Sequence, residues 1–87
     1  MHAELHISSL LVHARPTGME SVRAALAAID GVDVHAASDS GKIVVTLETD
    51  SSGGIVERLA SVREIAGVLS AVLVFHQIEP LDHTEGV

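Results

Sequence analysis

The chain has 87 residues, a length for a single domain with one modest core. Hydrophobic residues make up 47% of it with Phe75 as the sole aromatic, so the core must be aliphatic, and the absence of cysteine excludes disulfides, thiolate metal sites and cysteine nucleophiles. A formal charge of −7 with only five basic residues argues against a nucleic-acid partner, and no apolar run approaches the roughly 20 residues a spanning helix needs, which argues against membrane insertion.

From Leu5 to His13 aliphatic and β-branched residues are interspersed with Ser and His, which predicts a strand that Arg15-Pro16 stops. His2, Glu4 and His6 interrupt the apolar residues of the opening and no basic leader precedes them, so a cytoplasmic location is expected. Thr17 stands three residues before Glu20, a capping-box spacing, and Met19, Val22, Leu26 and Ile29 recur at helical intervals until Gly31. Val32, Val34 and Ala36 alternate with Asp33, His35 and Ala37, as do Ile43, Val45 and Leu47 with Val44, Thr46 and Glu48. Ser38 to Gly41 supplies turn chemistry between them, and the pair predicts a hairpin. Asp50 to Gly54 reads as a loop and cap. Ile55, Leu59, Val62 and Ala66 then line a second helix ending at Gly67, and Val68 to Gln77 forms the last strand, closed by Pro80.

The halves repeat at an offset of 36 residues, which pairs Ile7 with Ile43, Leu11 with Leu47, Ile29 with Ile65, Gly31 with Gly67 and Val32 with Val68. Two interleaved β-α-β units predict a ferredoxin-like α+β fold of order β-α-β-β-α-β, a four-stranded antiparallel sheet with two helices on one face. The domain is expected over residues 2–78. The stretch 79–87, with Pro80 and Gly86 among polar and acidic residues, is expected to be a flexible acidic tail.

Carried to the outer strands, the repeat places Ile7, Ser9, Leu11, Val68, Ser70, Val72 and Val74 beneath the helices. The open face then carries Ser8, Leu10, Val12, His35, Val44, Thr46, Leu69, Ala71, Leu73 and Phe75. A bulge in the first or last strand would invert this and turn the face through Val72, Val74 and His76. In the expected register Leu10, Val12, Leu69, Leu73 and Phe75 form an outward apolar patch of the kind that soluble monomers seldom leave uncovered. On fold grounds alone, a bound peptide and a second copy packed sheet to sheet explain it equally well.

No catalytic constellation accompanies this face. The serines lie in no nucleophile-elbow motif, the glycines form neither a phosphate loop nor a dinucleotide fingerprint, and Gly53-Gly54 reads as part of a cap. The six histidines show no helical i, i+4 pair, and His6 and His13 have opposite parity on the first strand. The residues thus predict a protein that is not an enzyme and takes no metal or cofactor.

The opening Met1-His2, the strand Ile7-Ser8-Ser9-Leu10-Leu11-Val12, the Gly31 turn, the Val62-Arg63 approach and above all Ile65-Ala66-Gly67-Val68-Leu69-Ser70-Ala71-Val72-Leu73-Val74-Phe75-His76-Gln77 resemble NapD proteins. Phe75 stands where members often have tyrosine. The resemblance implies a cytoplasmic chaperone that binds the twin-arginine signal peptide of the periplasmic nitrate reductase catalytic subunit and holds back export until the molybdenum cofactor is inserted. It also implies docking on the sheet side, which makes Ser8, Leu10, Val12, His35, Val44, Thr46, Leu69, Leu73 and Phe75 the candidate peptide-binding residues, on a monomer or weak homodimer. The alternative is a ferredoxin-like regulatory or oligomerisation module binding a small metabolite.

Overall fold

A computed structural model describes residues 4–80 of the chain. Strand β1 (Glu4–Ala14) leads through a 3-10 turn (Pro16–Gly18) into helix α1 (Met19–Ala27); strands β2 (Val32–Ala37) and β3 (Lys42–Thr49), helix α2 (Ser52–Arg63) and strand β4 (Val68–Pro80) follow. The four strands form one sheet in the order β2-β3-β1-β4, and every neighbouring pair is antiparallel. This is the ferredoxin-like order expected from the sequence.

Local chemistry accounts for the element ends. Arg15-Pro16 does stop β1, but Thr17 falls inside the 3-10 turn and Gly18 caps α1 without a side-chain bond, so the capping box does not form. At α2, Ser51 takes the cap: its hydroxyl accepts from the Gly54 amide at 3.0 Å. The matched glycines Gly31 and Gly67 both adopt positive φ, at 82° and 99°, where a side chain would be strained. Each turns the chain from a helix end into a strand.

Both helices cover the same face. Val22 and Leu26 of α1 and Ile55 and Val62 of α2 join Val32, Ile43, Val45, Leu47, Leu10, Val12, Ala14 and Ala71 in one buried cluster. Arg63 fastens α2 to β4, its guanidinium donating to the Ala71 carbonyl from Nε and Nη2 at 3.2 and 2.9 Å.

This packing corrects the expected orientation of β1. Ser8, Leu10 and Val12 are 0% exposed and lie opposite Leu47, Val45 and Ile43, beneath the helices. Ile7, Ser9 and Leu11 face the other way. The cause is the link between strand and helix. Arg15 to Gly18 joins β1 to α1, whereas only Asp50 and Ser51 join β3 to α2, so an offset that aligns the helices need not align the strands before them. Ser8, Leu10 and Val12 are therefore core residues.

Strand β4 is longer than expected. It runs past Gln77 to Pro80, with Glu79 opposite Leu5 and Pro80 opposite Glu4, so these two residues belong to the sheet rather than to a tail. Residues 81–87 of the expected tail lie outside the described residues.

Candidate functional site: the open face of the sheet

The face away from the helices can be read row by row from the strand register. Ile7 lies between Glu48 and Gln77, Ser9 between Thr46 and Phe75, Leu11 between Val44 and Val72, and His13 between Lys42 and Ser70. On β2, Asp33 adjoins Thr46 and Ala36 adjoins Val44.

Three irregularities adjust which side chains join these rows, each an extra residue opposite a single partner position. In β2 the extra residue is His35, between Val34 and Ala36; its Nε2 lies 2.8 Å from the Thr46 hydroxyl, so its ring is on the open face. In β4 the extra residues are Leu69 and Val74. Alternation from Val72 places Val74 on the open face, and the pairing with Ser9 places Phe75 there too. Both are more than half exposed.

The candidate residues thus divide. His35, Val44, Thr46, Leu69 and Phe75 lie on the open face. Ser8, Leu10 and Val12 do not, and Leu73 does not either: it pairs with Leu10 on the helix side, where, on an edge strand, it keeps 38% exposure. Ala71, expected outward, is buried beside Val12. Ile7, Leu11, Val72 and Val74 were expected beneath the helices and instead line the open face. In β1 both parities are apolar, so alternation alone could not choose between them. The inverted register that exposes Val72 and Val74 holds in β4 only as far as the second bulge. Beyond it His76 returns to the helix side and shares a 2.7 Å hydrogen bond with Ser8.

The surface that results is apolar in the middle and charged at its ends. Leu11, Val44, Val72, Val74 and Phe75 form the centre, with Phe75, the only aromatic, 54% exposed. Full burial of such side chains is worth ~1.5–3 kcal/mol each, and a contiguous patch of them is the usual mark of a docking surface. Glu48 and Glu79 flank one end, Glu79 accepting a 2.6 Å bond from Gln77, while Lys42 and His13 mark the other.

Chemistry is sparse elsewhere. His6 is buried on the helix side with its Nε2 3.2 Å from Glu4 and its ring 5.5 Å from that of His76. Among the described residues no group of three or more His, Cys, Asp or Glu is placed to hold a metal ion. No helix among them is long and apolar enough to cross a membrane. The grooves of about 340 and 630 Å³ open on the helix side and at one end of the sheet, and the larger is lined chiefly by carboxylates and backbone-rich loops.

Among the described residues the chain is a ferredoxin-like sandwich that carries two helices on one face of its sheet and an exposed apolar surface on the other. The family model for NapD protein matches residues 5–80, and the chain belongs to the NapD family. It is 41% identical over 83 residues to the chaperone NapD of Paracoccus pantotrophus, covering 95% of this chain and 73% of that one. It is 36% identical over 81 residues to the chaperone NapD of Escherichia coli K12, covering 91% and 92%. The solution structure of the E. coli Tat proofreading chaperone protein NapD superposes with a TM-score of 0.81 at 32% identity, over 88% of this chain and 82% of that chain.

Proposed function

We propose that this chain is a cytoplasmic chaperone that binds the twin-arginine signal peptide of the periplasmic nitrate reductase catalytic subunit and holds back export until the molybdenum cofactor is in place. The observation that carries the reading is the exposed apolar centre of the open face in a member of a family of chaperones. Signal peptides of this type join arginines to an apolar stretch that can turn helical, and an amphipathic helix laid on an apolar platform is a recurring mode of recognition. The anchors are Leu11, Val44, Val72, Val74 and Phe75, with His35, Thr46 and Leu69 around them. No catalytic step is assigned to any residue.

Magnitudes support an apolar mode. Micromolar binding requires about −8 kcal/mol, and exposed ion pairs contribute only ~0.2–1 kcal/mol each. Burial of several large side chains must supply most of it. Calorimetric titration with the signal peptide tests the reading. Val72→Ala and Phe75→Ala should each lose ~1–3 kcal/mol of binding while keeping the thermal midpoint within a few degrees. Unchanged affinity in both variants would remove the open face from consideration.

A further inference from the structure

Charge is not distributed evenly along the open face. Glu79 and Glu48 occupy the rows of Leu5 and Ile7, at the end where β1 begins, and Asp33 lies at the β2 edge of the next row, that of Ser9 and Phe75. The groove at that same end adds Glu4, Asp30, Asp50 and Glu57, against Arg58, whose Nε donates to the Asp30 carbonyl. At the far end the row of His13 carries Lys42 and Ser70. Between the two ends lie Phe75, Val74, Val72, Leu11 and Val44. The platform therefore has an acidic end, an apolar middle and a far end where Lys42 is the one basic side chain of the row, with Asp39 in the adjoining turn.

We infer that the face fixes the direction of the peptide it holds: the arginine-bearing N-terminal end lies over Glu48 and Glu79, and the apolar stretch runs along the strands toward Lys42 and His13. The inference rests on the reading that a signal peptide docks here. Two independent effects give the same direction. In signal peptides the positive charges precede the apolar segment, so the arginines meet carboxylates only in this orientation. If the segment is helical, its N-terminal end carries partial positive charge and its C-terminal end partial negative charge, which pair with the acidic end and with Lys42 respectively. In the reverse orientation both pairings become repulsive.

The dimensions suit a helix of moderate length. Glu48 and Lys42 are six residues apart on β3, or ~20 Å at the rise of an antiparallel strand. A helix covers ~20 Å in about 13 residues. That separation is also more than twice the ~8 Å screening length at physiological ionic strength, so each charged end acts only on the part of the peptide above it.

The test places a nitroxide label at either end of a synthetic twin-arginine signal peptide of the nitrate reductase subunit and reads broadening of backbone amides in the NMR spectrum of the unaltered protein. The N-terminal label should broaden Ile7, Glu48 and Gln77, and the C-terminal label should broaden His13, Lys42 and Ser70. The opposite pattern, or broadening at both ends from either label, overturns the fixed direction while leaving the docking face intact. A peptide that perturbs no open-face amide defeats the underlying reading instead. Charge reversals give a second readout. Glu48→Lys should weaken the peptide about two- to five-fold, a loss that disappears when its arginines are replaced by glutamine. Lys42→Glu should leave the contribution of the arginines unchanged. Tighter arginine-dependent binding on Lys42→Glu with a silent Glu48→Lys would place the arginines at the other end.

Discussion

Leu10 and Leu11 are neighbours of identical composition with opposite surroundings, and truncating each to alanine separates the core from the face. Leu10 is 0% exposed, between Val45 on β3 and Leu73 on β4, whereas Leu11 is 37% exposed between Val44 and Val72. Removing a fully buried leucine costs ~2–5 kcal/mol, because the lost transfer energy is joined by a cavity that close-packed neighbours cannot fill. A domain of 87 residues has ~4–13 kcal/mol of total stability. Taking ~3 kcal/mol for Leu10→Ala and ~4–8 °C per kcal/mol, the thermal midpoint should fall by about 12 to 24 °C. Leu11→Ala leaves no closed cavity and should cost ~1 kcal/mol or less.

Peptide binding should show the reverse ranking. Leu11→Ala removes a contact from the platform and should weaken the signal peptide by ~1–2 kcal/mol. Leu10→Ala, titrated well below its lowered midpoint, should bind nearly as the unaltered chain does. Circular dichroism melts and calorimetry on the two variants, run under identical conditions, give both rankings. If Leu11→Ala proves the more destabilising and Leu10→Ala the worse binder, β1 is turned over, and with it the assignment of every residue on the open face.

Two further substitutions test the turns that set the frame. Gly31→Ala should lower stability by more than ~1 kcal/mol in denaturant titration, since a Cβ there would sit 2.5 Å from the Glu48 carbonyl oxygen on a backbone of positive φ; an unchanged midpoint would refute that close approach. Ser51→Ala should cost ~1 kcal/mol and speed hydrogen exchange at the Gly54 amide, because the Ser51 hydroxyl caps a helix whose first turn holds Gly53 and Gly54. Ser51→Asp should restore both readings, and its failure to do so would show that the hydroxyl acts other than as a cap.

The order of elements was legible because it rests on signals that tertiary packing seldom overrides. Gly31 and Gly67 end helical stretches in both halves, Ser38 to Gly41 turns a hairpin, and Ile43, Val45 and Leu47 alternate in β3 as the core requires. In β2, however, the bulge at His35 carries Ala36, expected beside Val32 and Val34 on the covered face, to the open face next to Val44. Strand orientation at β1 was not legible. Leu10 and Val12 on one parity match Ile7 and Leu11 on the other, and the repeat that was asked to choose between them crosses two links of unequal length. The second half of β4 was hidden for a different reason. Each bulge reverses the parity beyond it, so an inference wrong for Ala71 and Leu73 came out right for Phe75. Family resemblance implies a kind of partner, but which side chains share the open face depended on a register no periodicity encodes.

Those bulges also explain how an aliphatic domain can present so much apolar surface on an edge strand. A regular β4 would send alternate residues to each face, giving the platform one large side chain per row. The extra residue at Val74 puts two, Val74 and Phe75, opposite Ser9, and the one at Leu69 does the same opposite His13 with Ser70. The same shift turns His76 inward to the Ser8 hydroxyl and gives a polar partner to a side chain that is otherwise fully buried. A core filled by residues no larger than leucine and isoleucine does not need an aromatic, and the chain places its only one outside, half exposed, in the apolar part of the open face on the edge strand β4. Stability alone would favour a smaller or polar side chain at Phe75. On the proposed function, the signal peptide completes the burial that the described residues leave undone there.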